Sequence, residues 1–557
     1  MKKKLQLLDC TLRDGAYIVN ADFGENLIKG LFKRLYASGI DIIECGWLKD
    51  TPGKRGSSFF HVPDDVLDYL PSEDKNGRSL CAMIDWDRYD LTQLPPCNNR
   101  SIDTIRVVFP HGKAREALRL ARFITEQGYR LFLQAANTLR YSDEELIELA
   151  EDVNSSGASA LSVVDTFGAM YPGDLDRIFN LLDKNLRSDI KIGFHSHNNM
   201  QLSFALSMRF AEYETGRGLI LDSSLCGMGR GAGNATTELV ASYLNRFFKS
   251  NYDMNEILDA IDTYIEPLKS NYSWGYSTPY FIAGTYCCHV NNIAYLLDNH
   301  RTLSKDMRLI IESLPPDSRL KYDYDLLEDK FVSYSDRVIN DEDALAAIKK
   351  LFSGRKLLAL APGLTLKNCR DKVREFIMRE NPLVVGINSL PDGYNCDYLF
   401  FSKPLRYQYA LEKDRETCRQ IPKILTSNVK TSGDADEMIV NYNLLVKLGW
   451  TYFDDSMIMF LRLLEKTGVK EIYLAGFDGF PLDENFAYAD PFLQGNLSRE
   501  KRMSLNDDIA SMMSDILEET DGKLFIEFLT PSIYSEKVRT FHNLSVSGRC
   551  CAEIDAK

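Results

Sequence analysis

The feature that most constrains the fold is a regular alternation of short apolar runs with longer amphipathic stretches in the N-terminal half of the chain. This alternation is typical of repeated βα units. Eight units fit into about 245 residues, as in a (β/α)₈ barrel, whereas an open doubly wound sheet usually has about five or six strands. We therefore predict an N-terminal (β/α)₈ TIM barrel. Its candidate strands are 5–9, 41–45, 80–84, 104–109, 130–134, 160–164, 191–194 and 219–225.

The pattern changes twice further along the chain. Residues 251–350 lose the alternation and are typical of helices, and from Lys356 the alternation returns. We predict a barrel domain over 1–250, a helical extension packed on the barrel over 251–350, and a Rossmann-like α/β domain over 351–557. The candidate strands of the last domain are 357–361, 383–387, 398–401, 424–426, 438–440, 471–475 and 524–528.

Composition excludes several classes of partner. The 66 Lys and Arg against 80 Asp and Glu give a net charge of −14, which disfavours binding to nucleic acid. The 12 cysteines show no C-x-x-C spacing, as expected for a reducing compartment. No apolar run approaches the ~18 residues that span a membrane, and Asp9 interrupts the apolar run behind the basic N-terminus. We expect a cytoplasmic protein without membrane or nucleic-acid partners.

Metal-ligand residue types follow two of the predicted strands. His195 and His197 lie two apart, so a strand would place both imidazoles on one face at the catalytic end of the barrel. With Asp14, which follows the first strand, they would hold a divalent ion and leave positions open for substrate oxygens. The alternative is that one His is a hydrogen-bonded core residue and the other a chance neighbour.

Further polar residues stand at the strand ends. Arg13 could stabilise an enolate formed from a 2-oxo acid, and Glu44 could orient it, although a purely structural salt bridge between the two is the alternative. In the loop from Gly227 to Asn234 every second residue is glycine up to Gly233, which indicates close backbone approach to a ligand. The candidate substrate-binding residues are Asn137, Thr166, Gly229 and Gly231, and Asn234 is a candidate metal ligand.

Three motifs together resemble the DRE-TIM metallolyase superfamily over roughly residues 5–300. They are the run Asp9-Cys10-Thr11-Leu12-Arg13-Asp14-Gly15, His195-x-His197-Asn198 and Gly229-x-Gly231-x-Gly233-Asn234. The resemblance implies that Arg13 stabilises an enolate and that Glu44 completes the Asp-Arg-Glu set. It also implies a metal-ligand set of Asp14, His195 and His197, with Asn234 as a fourth member.

Within the superfamily the chain is most similar to the 4-hydroxy-2-oxovalerate aldolases. Ala283-Gly284-x-Tyr286 resembles the segment that carries their active-site Tyr, so Tyr286 is the candidate proton donor. Those aldolases carry a catalytic His two residues after the Gly of the Arg-Asp-Gly run, where this chain has Tyr17. A tyrosine, with an ordinary pKa of ~10, would need a strongly lowered pKa to act as the base. His111 is an alternative base.

These observations predict a divalent-metal-dependent aldolase acting on a small 2-oxo acid, such as pyruvate, and an aldehyde. Mn²⁺ or Mg²⁺ is the expected cofactor, with Co²⁺ or Zn²⁺ as alternatives, and a homo-oligomer, in the first place a dimer, is expected. One alternative is a Claisen-type acyl-CoA condensing enzyme or lyase. Another is a non-catalytic nucleotide-sugar-binding protein, because the turns at 361–363 and 475–479 resemble nucleotide-sugar-binding folds of surface-polysaccharide enzymes.

Overall fold

The computed structural model describes residues 5–541 except 52, 73, 74, 76, 301, 336–338, 432, 434, 435, 484–486, 494–496 and 522. The described chain divides into two compact units. The first contains residues up to 294 together with 304–322, and the second contains 295–303 and the residues from 323 onward. The segment 251–350 is therefore shared between the units, and the division at residues 250 and 350 stays a prediction.

The first unit contains a closed barrel of eight parallel strands, as predicted from the alternation. The strands follow one another around the barrel in chain order, and β1 pairs with both β2 and β9, which closes the sheet. A two-residue strand, β3, pairs with the end of β2 outside this closed set. The strands are β1 (Leu5–Asp9), β2 (Ile42–Leu48), β3 (Phe59–Phe60), β4 (Ser79–Asp85), β5 (Thr104–Phe109), β6 (Arg130–Ala135), β7 (Ala160–Asp165), β8 (Lys191–Ser196) and β9 (Leu219–Ser223).

Six of the eight barrel strands lead into α-helices, and two do not. Among the described residues after β2 and β4 there are only 3₁₀ turns, at Pro63–Asp68 and Leu91–Gln93. The expectation of a helix after every strand is wrong at these two places. After β4, the pair Pro95-Pro96 follows the 3₁₀ turn and cannot continue a helix. The helices through the last barrel unit are α1 (Thr11–Asp14), α2 (Glu25–Ala37), α3 (Ala114–Glu126), α4 (Asp143–Asn154), α5 (Pro172–Asn185), α6 (Ser203–Glu212) and α7 (Thr237–Phe248).

The barrel core has two layers that follow the strand period of two. A small cluster inside the barrel includes Leu8, Ile42 and Phe132, and a larger cluster outside it packs under the helices. Towards the carboxyl ends of the strands the interior is polar, with Glu44, Arg106 and other charged side chains fully buried. A charged interior at this end is what a catalytic site requires and what a purely structural core would avoid.

The segment after the barrel is helical, as predicted. Its helices are α8 (Met254–Ala260), α9 (Thr278–Thr285), α10 (Val290–His300), α11 (Ser304–Ser313), α12 (Pro316–Arg319), α13 (Tyr324–Ser335) and α14 (Glu342–Phe352). A π-helical turn at Ile261–Ile265 and a 3₁₀ turn at Glu266–Ser270 continue α8.

The second unit contains a parallel seven-stranded sheet in the order β14-β13-β12-β11-β10-β15-β16, which confirms the predicted Rossmann-like fold class. The strand order reverses between β10 and β15, which is the switch point of a doubly wound fold. The strands are β10 (Leu357–Leu360), β11 (Leu383–Ile387), β12 (Tyr398–Phe401), β13 (Lys423–Thr426), β14 (Glu437–Val440), β15 (Glu471–Ala475) and β16 (Phe525–Phe528). The helices are α15 (Leu364–Asn368), α16 (Arg370–Glu380), α17 (Pro404–Lys413), α18 (Arg415–Gln420), α19 (Tyr442–Leu445), α20 (Ser456–Thr467) and α21 (Arg499–Glu519).

The two glycine-containing turns at this switch point contact each other. The Gly363 N–H donates to the Gly476 carbonyl at 2.9 Å, and a Cβ on Gly363 would collide with that same carbonyl. The Thr365 N–H donates to Asp478 Oδ2 at 2.7 Å. These glycines therefore allow two strand-to-helix turns to pack together, and nucleotide-sugar binding stays a prediction.

Candidate active site

The barrel closure brings the candidate metal ligands together. Asp14 ends α1 just after β1, His195 lies in β8, and Asn234 lies in the loop after β9. Because β8, β9 and β1 are neighbours, residues far apart in sequence meet at one edge of the barrel. His197 and Asn234 form an antiparallel bridge that fixes the last loop against β8.

Asp14, His195 and His197 form a compact ligand set. One ligand atom from each lies within 4.8 Å of the others, and His197 Nε2 is 3.4 Å from Asp14 Oδ2. His195 Nδ1 lies 3.2 Å from Asp222 Oδ2, and His197 Nδ1 lies 3.1 Å from the Asp165 carbonyl oxygen. Oxygen partners on Nδ1 favour a proton there and leave the Nε2 lone pairs for a cation.

The protonation states of these groups suit a metal. Burial lowers the pKa of His195, and the nearby Arg13 guanidinium lowers it further, against the opposing effect of the Asp222 carboxylate. Burial opposes ionisation of Asp14, yet Arg13 and the two imidazoles hold the pKa of this carboxyl well below its usual range. A neutral imidazole at His195 beside an ionised Asp14 carboxylate gives donors that a divalent cation binds.

Asn234 completes the neighbourhood of Asp14. Its Nδ2 donates to Asp14 Oδ2 at 2.5 Å, while its Oδ1 is buried and has no hydrogen-bond partner among the described residues. An unsatisfied buried acceptor beside three ligand groups fits a cation site. A Cβ on Gly229 would lie 2.8 Å from Asp14 Oδ2 and would collide with the Asn234 amide, so this loop approaches the site as closely as glycine allows.

Arg13 belongs to a buried chain of charges. Its Nη1 donates to Asp14 Oδ1 at 2.7 Å, and its Nε donates to Glu44 Oε2 at 2.8 Å. Arg106 then bridges Glu44 at 2.9 Å and Asp222 at 2.5 Å. Glu44 therefore orients Arg13, as the sequence suggested, and the structural salt bridge exists as well.

A cavity of about 770 Å³, including space open to solvent, lies beside these groups. Six sequence-predicted residues line it: Arg13, Asp14, Tyr17, Thr166, His195 and His197. Glu44 and Asn234 are buried and do not line it. Gly229 contacts the ligand set, whereas Gly231 lies against Asn199, Tyr280 and Val290. The ligand set and the enolate-stabilising candidate thus share one cavity.

Three predicted residues lie elsewhere. The Tyr286 hydroxyl accepts a hydrogen bond from Arg308 at 3.1 Å, and this side chain does not line the cavity. Asn137 has left-handed backbone and donates its N–H to Thr166 Oγ1 at 2.7 Å, so it positions Thr166. His111 lies 3.1 Å from Glu145 outside the cavity. Their predicted catalytic or binding roles stay predictions.

Tyr17 lines the cavity as a protonated phenol. Burial raises the pKa of Tyr17 to about 12, although the nearby Arg230 and Arg13 guanidiniums oppose this rise. The Arg230 guanidinium lies 3.5 Å from the centre of the Tyr17 ring. Tyr17 can therefore donate a hydrogen bond at neutral pH, and its predicted catalytic role stays a prediction.

Among the cavity residues that sequence reasoning missed, two are titratable, His289 and Arg230. The His289 Nδ1 accepts the Asn291 N–H at 3.1 Å, which leaves the proton of the neutral ring on Nε2. Burial, with the charges of Arg230 and His197, lowers the pKa of His289 to about 4. No strand-end rule points to His289, which follows α9, whereas Arg230 was visible as the one charged residue within the glycine loop.

The second unit has a cavity of its own, of about 710 Å³, beside the loops that follow β10 and β11. Its lining includes Lys367, Arg370 and Lys413. Lys413 is paired with Asp392 at 3.0 Å and with Asp490 at 2.9 Å. Charges of both signs line this cavity, and such a lining does not select one class of ligand.

The fold and the site define a parallel (β/α)₈ barrel with a cluster of metal-ligand residues at the carboxyl ends of its strands. Residues 105–263 match the HMGL-like family model. The chain is 26% identical over 274 residues to 4-hydroxy-2-oxovalerate aldolase 6 of Rhodococcus jostii, covering 48% of this chain and 75% of that protein. It is 28% identical over 275 residues to the 4-hydroxy-2-oxovalerate aldolase of Geobacillus genomosp. 3, covering 48% of this chain and 78% of that protein. The predicted resemblance to the DRE-TIM metallolyases over the N-terminal half is confirmed, and the relatives support a lyase or aldolase.

Solved structures also match the N-terminal half. One is the N-terminal domain of a Bacteroides vulgatus protein assigned as an aldolase, with 26% identity and a TM-score of 0.45, covering 52% of this chain and 95% of that chain. Another is a hydroxymethylglutaryl-CoA lyase of Pseudomonas aeruginosa, with 17% identity and a TM-score of 0.39, covering 49% of this chain and 95% of that chain. Within the described ranges, no helix has the length and apolar character needed to cross a bilayer.

Proposed function

We propose that this chain is a divalent-metal-dependent aldolase that forms or cleaves the carbon–carbon bond between a 2-oxo acid, such as pyruvate, and an aldehyde. The observation that carries this proposal is one cavity lined both by the Asp14–His195–His197 ligand set and by Arg13. The similarity to 4-hydroxy-2-oxovalerate aldolases supports an aldehyde as the second substrate and makes an acyl-CoA the alternative.

The site residues would hold the cation and leave room for substrate. Asp14, His195 and His197 are the ligands, and Asn234 offers an additional oxygen. A bound Mn²⁺ or Mg²⁺, with Co²⁺ or Zn²⁺ as alternatives, would polarise the carbonyl of the 2-oxo acid and acidify the neighbouring C–H bond. The cavity side of the ligand set is where substrate oxygens would approach.

Arg13 is positioned to stabilise the enolate. Its Nε and Nη1 are used by Glu44 and Asp14, while its Nη2 makes no hydrogen bond to any described residue. Because two carboxylates hold the guanidinium in place before substrate binds, its free N–H groups need little reorganisation when negative charge develops. The enolate oxygen of the 2-oxo acid is the group that would receive them.

His289 would hold the aldehyde oxygen. Its Nδ1 accepts the Asn291 N–H, so the neutral ring carries its one proton on Nε2 and can donate a hydrogen bond from there. In the addition direction, the enolate carbon forms a bond to the aldehyde carbonyl carbon, and the alkoxide that results, stabilised by the Nε2–H, takes a proton from water to become a hydroxyl group. In cleavage, the hydroxyl gives its proton to water as the carbon–carbon bond breaks, and the released enolate carbon takes a proton from water to become a methyl group.

The test is exchange of the pyruvate methyl hydrogens in D₂O. The metal is removed only after the reaction, and mass spectrometry then measures how much deuterium the pyruvate has taken up. We expect exchange with Mg²⁺ or Mn²⁺, its loss with a chelator, and its loss in His197→Ala and Arg13→Met. Arg122→Met, on the exposed face of α3, is the matched control and should exchange like wild type.

Circular dichroism of each variant separates loss of chemistry from loss of fold. Metal-independent exchange, or full exchange in folded His197→Ala, would refute the proposal. Release of free CoA from acetyl-CoA plus a 2-oxo acid, without pyruvate exchange, would favour the acyl-CoA alternative.

A further inference from the structure

Arg230 is the cavity residue that the proposed chemistry leaves unused. It interrupts the glycine loop, between Gly229 and Gly231, and its guanidinium stacks on the Tyr17 ring at 3.5 Å from the ring centre. Its side chain makes no hydrogen bond or ion pair with any residue that the structure describes. A guanidinium that stacks on a ring and has no anionic partner can bind an anion with its N–H groups.

The other guanidiniums at this end of the barrel are already paired. Arg13 contacts Asp14 and Glu44, and Arg106 contacts Glu44 and Asp222. Arg230 therefore differs from both in having a charge that no neighbouring carboxylate neutralises. The loop glycines on either side keep bulk away from it, so its N–H groups remain accessible from the cavity.

The buried carboxylates of the site have partners other than Arg230. Asp14, Glu44 and Asp222 are paired with the guanidiniums of Arg13 and Arg106. A further buried carboxylate, Asp165, accepts the N–H groups of Ala169 and Met170. Among the described residues, Arg230 therefore forms no ion pair, and its charge is left for an anion that enters the cavity.

We infer that the aldehyde substrate carries an anionic group, a carboxylate or a phosphate, which Arg230 binds. This inference rests on the proposed aldolase function and narrows its second substrate. The planar guanidinium can donate two parallel hydrogen bonds to either group, while the Tyr17 ring fixes its plane. A neutral aldehyde would leave Arg230 without a partner and would be the poorer substrate.

The test compares matched aldehydes in the metal-loaded full-length enzyme with pyruvate as the second substrate. The pairs are glycolaldehyde with glycolaldehyde phosphate, and propanal with succinic semialdehyde. We expect wild type to favour one anionic member by about 10- to 100-fold in kcat/KM, and Arg230→Met to lose this preference. The aldehyde pair that shows this preference identifies the anionic group as a phosphate or as a carboxylate.

Arg246→Met is the matched control, because Arg246 is an exposed arginine that also stacks on an aromatic ring, Phe247, away from the cavity. It should keep the wild-type preference. Equal kcat/KM for both members of both pairs in wild type, or an unchanged preference in Arg230→Met, would overturn the inference.

A binding measurement keeps this result separate from that of the proposed function. If wild type exchanges no pyruvate hydrogens, the aldolase proposal fails. Anion binding by Arg230 can still be measured by calorimetric titration with glycolaldehyde phosphate and with succinic semialdehyde. Binding that weakens at least tenfold in Arg230→Met supports the anion site. Binding that is absent or unaffected by the substitution refutes it.

Discussion

At the residue scale, His289 is a titratable residue of the cavity that no sequence pattern indicated. Tyr17 stands after the first strand, at the position where the sequence resemblance led us to expect a His, and burial raises the pKa of its phenol to about 12. His289 reaches the same cavity from the turn after α9. Its Nδ1 is fixed by the Asn291 N–H, so the ring presents one defined proton.

We expect His289→Phe to lower kcat for aldol cleavage by about 10²- to 10³-fold, because the substitution removes a hydrogen-bond donor from the oxygen on which charge develops. Pyruvate binding should change little, so the loss appears in kcat more than in KM. The same substitution at His111, which lies outside the cavity, should change kcat less than about twofold. An equal loss at both positions would contradict the assignment.

The sequence predicted the candidate ligand set because the period of a strand shows which residues share one face. A strand places His195 and His197 on one face, and the barrel rule places Asp14 at the same end. Periodicity says nothing about the path of a turn after the barrel, so His289 was missed and Tyr286 was expected in a cavity that it does not line. Local pattern therefore predicts residues on strands far better than residues on connecting segments.

At the element scale, the strands were predictable and two of the connections were not. All fifteen predicted strands are present, because each combines apolar residues with a turn signal. The connections after β2 and β4 have prolines where helices were expected, and the chain instead forms 3₁₀ turns. The preceding strands keep their pairing regardless, because the sheet depends on neighbouring strands more than on the helix between them.

Arg217, just before β9, donates hydrogen bonds to the end of α5 and to the segment between α5 and β8. Its guanidinium donates to Asp183 and to the carbonyl oxygens of Asp183, Leu186, Arg187 and Ile190. Arg217→Met should lower the free energy of unfolding by about 3 kcal/mol, because buried carbonyls lose their donors. Denaturant unfolding measures this change. Arg122→Met, which removes an exposed pair with Glu126, should stay within about 0.5 kcal/mol of wild type, and equal effects would contradict the role of Arg217.

At the scale of the whole molecule, metal binding should appear as stability of the first unit. At a Mn²⁺ concentration about 100 times the dissociation constant, a cation that binds only the folded state adds about 2.7 kcal/mol. Thermal unfolding with Mn²⁺ and with EDTA measures this difference.

Gly229→Ala should lose that metal-dependent gain, because the new Cβ displaces the Asn234 amide and crowds Asp14 Oδ2. The matched control is Gly216→Ala, where a Cβ meets nothing within 4 Å. We expect this control to keep the full gain. A Gly229→Ala protein with an undiminished gain would show that the cation binds elsewhere.

The barrel closure also determines at which stage of chain synthesis the candidate site can form. Asp14 lies 220 residues before Asn234, and these two residues meet only where β1 pairs with β9. A chain emerging from the ribosome therefore has no complete ligand set until its eighth barrel strand and the loop beyond it have been made. A cation bound by these residues would join chain segments at the two ends of the barrel sequence, and long loops are the ones whose closure costs the most chain entropy.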